Sequence, residues 1–197
     1  MLDSYYSQEL VFFSILVAVL ASYTALNMTS RVSQSQGRAA ALWLAGGAFA
    51  MGLGIWSMHF IGMLAFNLPI ALGYDLTLTG LSLVAAIGSS AFALWLVSRP
   101  QLPWRHVAGG ALLMGAGIAT MHFIGMAAMK IDPGIHYHRG LFALSILIAV
   151  LASGAALWIA FRLRNSTPRA FFRKAVASLV MGAAIIGMHY TGMAAAQ

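Results

Sequence analysis

The chain has 197 residues, 61% of them hydrophobic and 8% charged, with a net charge of +7 and an isoelectric point near 10.4. Its apolar runs of roughly twenty residues match a hydrocarbon core about 30 Å thick, which makes it an integral membrane protein. The basic residues sit in short loops between those runs, where they orient the chain and touch anionic lipid, so nucleic-acid binding is set aside. With no cysteine, disulfides and thiolate ligands are excluded, and a bound metal must use His, Met or oxygen.

The first ten residues, MLDSYYSQEL, lack the basic flank and small-residue cleavage site of a signal peptide, which predicts that the first apolar span is retained. Apolar runs at about 9–29, 39–66, 76–98, 106–129, 140–161 and 174–196 then read as six transmembrane helices. The alternation of a membrane β-barrel is missing, and only helices or closed barrels satisfy their backbone in lipid. The odd-numbered spans repeat: Phe13 to Arg31, Leu81 to Arg99 and Leu144 to Arg162 align without gaps, matching Ser14, Ser82 and Ser145 as well as Ser22, Ser90 and Ser153. The even-numbered spans repeat more strongly. MGLGIWSMHFIGM (Met51 to Met63) returns as MGAGIATMHFIGM (Met114 to Met126) and MGAAIIGMHYTGM (Met181 to Met193), with seven of thirteen positions identical in all three.

The repeating unit is a helical hairpin at spacings of 63 to 68 residues, about 9–66, 76–129 and 140–196. The expected fold is an all-α integral membrane protein of six transmembrane helices, arranged as three repeated hairpins in a pseudo-threefold bundle that forms a single domain over 1–197. Gly46, Ala50 and Gly54, at intervals of four, predict close helix packing.

Nine of the eleven bases lie in the connections after the odd spans: Arg31 and Arg38; Arg99 and Arg105; Arg162, Arg164, Arg169, Arg173 and Lys174. The other side holds Lys130 and Arg139 with all four acids, Asp3, Glu9, Asp75 and Asp132. The positive-inside rule therefore puts the basic loops in the cytoplasm and both termini outside. Trp43, Trp95, Trp104 and Trp158 fall towards the inner ends, as an interfacial aromatic belt would place them. Asn67-Leu68-Pro69 ends the second span and Asp132-Pro133-Gly134 ends the turn after the fourth, which places each repeated histidine near the outer end of its helix.

On a helix, residues four apart share a face, so His59 lies beside Met63, His122 beside Met126 and His189 beside Met193. Met58, Met121 and Met188 precede the histidines by one residue and could reach a ligand held between helices. Met51, Met114 and Met181 lie about 10 Å deeper as a second layer. Any one methionine reads first as core filler. Three intramembrane histidines at matched positions ask for a common partner, either a metal or a neutral network of imidazoles, serines and water. Imidazole with thioether suits copper, especially Cu(I), better than zinc, magnesium or calcium. The inner halves of the spans contain no carboxylate, which speaks against a metal hydrolase or an acidic proton relay. Haem fits less well, because two axial positions leave one of three equivalent helices over. His136 and His138 in an outer loop are weaker additional candidates.

The tetrapeptide Met188-His189-Tyr190-Thr191, with Met58-His59-Phe60-Ile61 and Met121-His122-Phe123-Ile124, resembles the MHYT domain family of bacterial integral-membrane sensor modules over essentially the whole chain. The resemblance implies a sensor of a diatomic gas (oxygen, carbon monoxide or nitric oxide), with copper held by the His and Met residues. It also implies a cytoplasmic output domain beyond this chain, often one that makes or degrades cyclic di-GMP. An output domain inside the cell requires a further span, because Gln197 is expected outside.

The expected partners are the bilayer of a bacterial inner membrane, the gas, that output domain and, in some arrangements, a second copy of the chain. No catalytic residue is expected in this domain. The alternatives are a copper carrier, for which the layers of thioethers would form a relay, and a membrane copper oxidoreductase.

Overall fold

Each apolar run forms a helix, and four of the six are longer than the predicted spans, because the backbone ladder continues past the hydrocarbon into the loops. The computed structural model describes residues 5–67, 73–130, 135–165 and 170–196. It contains α1 (Gln8–Gln34), α2 (Gly37–Ala65), α3 (Leu76–Val97), α4 (Trp104–Ala127), α5 (Arg139–Leu163) and α6 (Ala170–Ala195). All six are long and apolar enough to cross a membrane. The early start of α6 takes Arg173 and Lys174, expected in a connection, into its first turns. The predicted turns at Leu68-Pro69 and Asp132-Pro133-Gly134, and also Asp3, Arg169 and Gln197, lie outside the described residues.

The three odd helices start alike. Ser7, Asp75 and His138 stand at the same position of the repeat, and each accepts a bond from the backbone of the first turn it precedes. This satisfies amides that a helix start leaves without intrahelical partners. The α1–α2 turn is only Ser35 and Gln36, and Gly37 absorbs it with a left-handed φ of 55°.

Each helix packs against its chain neighbours, and α6 closes onto α1, so the six form a ring in which alternate helices touch more sparingly. Backbones come closest at the glycine that follows each deep methionine. A methyl on Gly52 would lie 2.6 Å from the Ile87 Cα, one on Gly115 2.7 Å from the Val150 Cα, and one on Gly182 2.9 Å from Val19 Cγ2. The stripe expected to mediate packing differs: Gly46 and Ala50 face outward, nothing approaches Gly46, and only Gly54 meets a neighbour, Ala21. Spacing alone shows that small residues share a face, but not which way the face points.

At the end opposite the basic loops, each hairpin is sewn shut. β1 (Tyr5–Tyr6) pairs antiparallel with β2 (Phe66–Asn67), β3 (Gly73–Tyr74) with β4 (Met129–Lys130), and Tyr137 bridges to Ala196. Beside these ladders the backbone amides of Ser7, Asp75 and His138 donate to the carbonyls of Ala65, Ala128 and Ala195, each at 2.8 Å. Helix ends that would leave carbonyls bare are thereby satisfied.

At the basic end the Arg164 guanidinium donates to the carbonyls of Val97, Arg99 and Pro100 at 3.3, 2.6 and 3.0 Å, tying the third hairpin to the end of α3. Lys174 ties it to the first hairpin. Its ammonium is buried between α6 and α1 and donates to Asn27 Oδ1 at 3.2 Å and Ser30 Oγ at 2.7 Å.

Candidate metal centre

The ring of helices brings its three repeated histidines to one place. His59 on α2, His122 on α4 and His189 on α6 are each fully buried, at 0% exposure. His59 Nδ1 lies 3.1 Å from His189 Nδ1 and 3.2 Å from His122 Nδ1, and the three candidate donor nitrogens are all within 4.8 Å of one another. The rings stand steeply to each other, at interplanar angles of 68°, 85° and 86°.

A cyclic contact fixes this orientation. The Nε2 edge of His59 presses on Gly125 of α4, that of His122 on Gly192 of α6, and that of His189 on Gly62 of α2, so closely that a methyl at any of these glycines would overlap the ring. Those Nε2 atoms are buried without hydrogen-bond partners. Each histidine thus rests on the backbone of the next even helix, three residues beyond that helix's own histidine. Sequence reading missed these glycines as site residues, although their position is identical in all three copies of the motif.

The donor set fits a single metal ion. Three imidazole nitrogens bound at about 2.0–2.1 Å stand roughly 3.3–3.6 Å apart, close to the two short spacings observed. Without an ion, His59 Nδ1 serves both contacts and can donate in only one of them, so three neutral rings form at most two bonds among themselves. One cation would meet all three lone pairs together.

The methionines divide by layer. Met63, Met126 and Met193 form one buried cluster on the rim side, packed by Phe60, Phe66, Tyr74, Met129 and Ile135. Met51, Met114 and Met181 also come together: all three line a cavity of about 50 Å³ below the triad and a second of about 30 Å³. Met58, Met121 and Met188 are buried too, but not as one group. Met121 packs with Ile55 and Ala86, while Met188 belongs to the central core and lines the larger cavity. His136 and His138 are exposed on the rim, outside the triad, where His138 accepts from the Leu141 amide as the cap of α5.

A threefold aromatic rim surrounds the site. Tyr6 contacts Tyr190, Tyr74 contacts Phe60 and Tyr137 contacts Phe123, each pair joining a rim tyrosine to the residue after a histidine. Burial pushes all three rim phenols above their ordinary range, with Tyr190 adding to the effect at Tyr6, so this cover stays uncharged. The tyrosines stand eight residues before Ser14, Ser82 and Ser145, a regularity of the repeat itself.

The MHYT family model, described as a bacterial signalling protein N-terminal repeat, matches residues 52–110 and 115–172. Each match runs from midway along an even helix, through the odd helix that follows, to the start of the next even helix, half a step out of phase with the hairpins. The bifunctional diguanylate cyclase/cyclic di-GMP phosphodiesterase MucR of Pseudomonas aeruginosa is 67% identical over the whole chain, which covers 29% of that relative. The cyclic di-GMP phosphodiesterase NbdA of the same organism is 46% identical over 96% of the chain and 24% of its own length. The signaling protein YkoW of Bacillus subtilis is 40% identical over 97% of the chain and 24% of its own length. The chain therefore spans less than a third of these curated relatives. No solved structure matches it.

Proposed function

The chain belongs to the MHYT family, and from that premise we propose that it is the copper-binding sensory part of a bacterial inner-membrane signalling protein that responds to a diatomic gas or to redox state. The observation that carries this reading is the convergence of three buried Nδ1 atoms, with no carboxylate beside them among the described residues. Soft thioethers above and below that triad favour copper over zinc. His59, His122 and His189 would hold the ion, with Met63, Met126 or Met193 as the nearest thioether layer and Met58, Met121, Met188, Met51, Met114 and Met181 as further candidates. Copper bound there would supply an exchangeable coordination position and a one-electron redox change.

The residues of the chain then determine what such a change does. A rotating imidazole must push on the backbone of the neighbouring helix, because each Nε2 edge already touches a glycine there. Signalling needs two packings with different affinity for the stimulus, and the His-to-Gly cycle couples all three hairpins to one. The output is proposed to lie beyond this chain on the side of the basic loops, with both ends of the chain outside, and to make or degrade cyclic di-GMP as the names of two relatives indicate for those proteins. A second copy of the chain remains a proposed partner.

Metal analysis of the purified protein tests the site. Copper that is stoichiometric, survives dialysis and is lost from the His59→Ala/His122→Ala/His189→Ala variant supports it, and X-ray absorption should then show nitrogen scatterers near 2.0 Å. Copper retained by the triple variant, or a wild-type spectrum with sulfur alone, would overturn the ligand assignment. The inner methionine ring between two cavities favours a second reading, a copper carrier. Apart from those methionines the lower cavity is lined by residues such as Leu94, Val97 and Leu157, which offer no further soft donor, and this opposes passage. Uptake of labelled copper into vesicles distinguishes the two, and a flat time course removes the carrier.

A further inference from the structure

The basic end carries two open grooves at matching places in the repeat. One, of about 690 Å³, lies between α3 and α4 and is lined by Phe92, Trp95, Arg99, Arg105, His106 and Leu113 among others. The other, of about 560 Å³, lies between α5 and α6 and includes Trp158, Arg162, Phe172, Arg173 and Val176. Trp95 and Trp158 correspond in the repeat, as do Arg99 and Arg162. The Arg99 guanidinium lies over the Trp95 ring at 4.1 Å, and that of Arg162 over Trp158 at 5.3 Å. Stacking of this kind holds a guanidinium in place and leaves its planar fork of donors available.

Charge decides what such a groove takes. Among the described residues the carboxylates are Glu9 and Asp75, and both lie at the opposite end of the bundle. Each groove therefore joins two arginines, opposed by no described carboxylate, to an apolar wall that continues down the helices. We infer that the grooves bind anionic phospholipid, one molecule each, with the phosphate on Arg99 and Arg105 or on Arg162 and Arg173, and an acyl chain along Phe92 and Leu113 or along Val176. A bidentate guanidinium–phosphate contact supplies the polar anchor. A zwitterionic lipid is disfavoured, because its ammonium would face arginines with no acid to receive it. The first repeat is built differently: Asn27 replaces the tryptophan and accepts from Lys174, and Arg31 instead lies over Trp43 of α2 at 4.8 Å. Two such sites per chain are expected in place of three. The inference is independent of copper and of which face of the membrane the basic end occupies.

Native mass spectrometry of the intact chain, titrated with phosphatidylglycerol or phosphatidylcholine, tests it. The wild type should retain two phosphatidylglycerol molecules, with phosphatidylcholine held at least tenfold more weakly. Arg99→Gln/Arg105→Gln should lose one, Arg162→Gln/Arg173→Gln the other, and the fourfold variant both; all four side chains are exposed, so folding is not at stake. Equal retention of the two lipids by the wild type, or undiminished phosphatidylglycerol on the fourfold variant, overturns the inference. Soluble glycerol phosphate gives a test on the wild type alone. If it displaces the lipid at equal concentration, the grooves are simple anion sites and the apolar walls contribute nothing.

Discussion

A single methyl group decides whether the histidine triad can assemble. His59 stands against Gly125, and a Cβ there would occupy the position of its Nε2 edge. Gly125→Ala removes no candidate donor, yet it must displace the ring or the helix. Overpacking of a tight core costs about 1–3 kcal/mol. The expected outcome is a lower melting temperature together with reduced copper retention, measured on the same detergent-purified sample. Gly46→Ala is the matched control: it faces open space, and replacing a helical glycine there should be neutral or stabilising by up to about 1 kcal/mol. Full copper and an unchanged melt for Gly125→Ala would show that the glycine contacts do not position the rings. The three glycines were visible as identical positions in the motif. Their partner was not, because the handedness of the cycle, α2 on α4 on α6 on α2, is a property of helix arrangement that no single strip of sequence contains.

Helix ends and seams account for what distinguishes one element from another. Asp75 caps α3 through the amides of Thr77 and Leu78 at 2.9 and 3.1 Å. Asp75→Ala should cost about 1 kcal/mol and speed hydrogen exchange in the first turn of α3, while Asp75→Asn should restore protection. The Lys130–Asp75 ion pair, at 4.0 Å and exposed, adds little to this. The α1–α6 seam makes a sharper case. Lys174 occupies the repeat position of Leu44 and Val107, so a buried charge stands where the other two repeats carry an apolar side chain. Buried charges are often no more stabilising than apolar residues of similar volume, whereas stranding one is costly. Lys174→Met should therefore melt at or above the wild type. Asn27→Leu, which takes away an acceptor and leaves the ammonium with Ser30, should cost about 1–3 kcal/mol. If both variants melt alike, the Asn27 bond carries no weight in closing the ring. In the sequence a charge next to a run of arginines reads as solvated, and only the closing of α6 on α1 reveals the burial of Lys174.

For the molecule as a whole, the repeat made the architecture legible: three hairpins of one pattern, each with a buried stripe in the same register, satisfy one another only around a common axis. The rim ladders were not legible, since two-residue strands carry no periodicity, although Tyr6, Tyr74 and Tyr137 recur at one repeat position. The structure also sharpens the argument for orientation. Lys174 is buried and the Arg164 guanidinium is engaged with backbone carbonyls, so neither belongs in a count of bases available to the membrane surface. That leaves six exposed arginines described at the basic end, Arg31, Arg38, Arg99, Arg105, Arg162 and Arg173, against Lys130 and Arg139 at the rim. The bias persists without them, and on the positive-inside rule we propose that the rim, with its aromatic cover over the methionine and histidine layers, lies on the outer face. The absence of native cysteine allows single-cysteine labelling without background. In spheroplasts, a membrane-impermeant maleimide should label Tyr5→Cys, at an exposed rim position, and should reach Gln36→Cys, at the exposed α1–α2 turn, only after lysis. The reverse pattern would invert the protein and put the candidate metal centre near the cytoplasm. A stimulus arriving from outside would then have to cross the whole bundle to reach it.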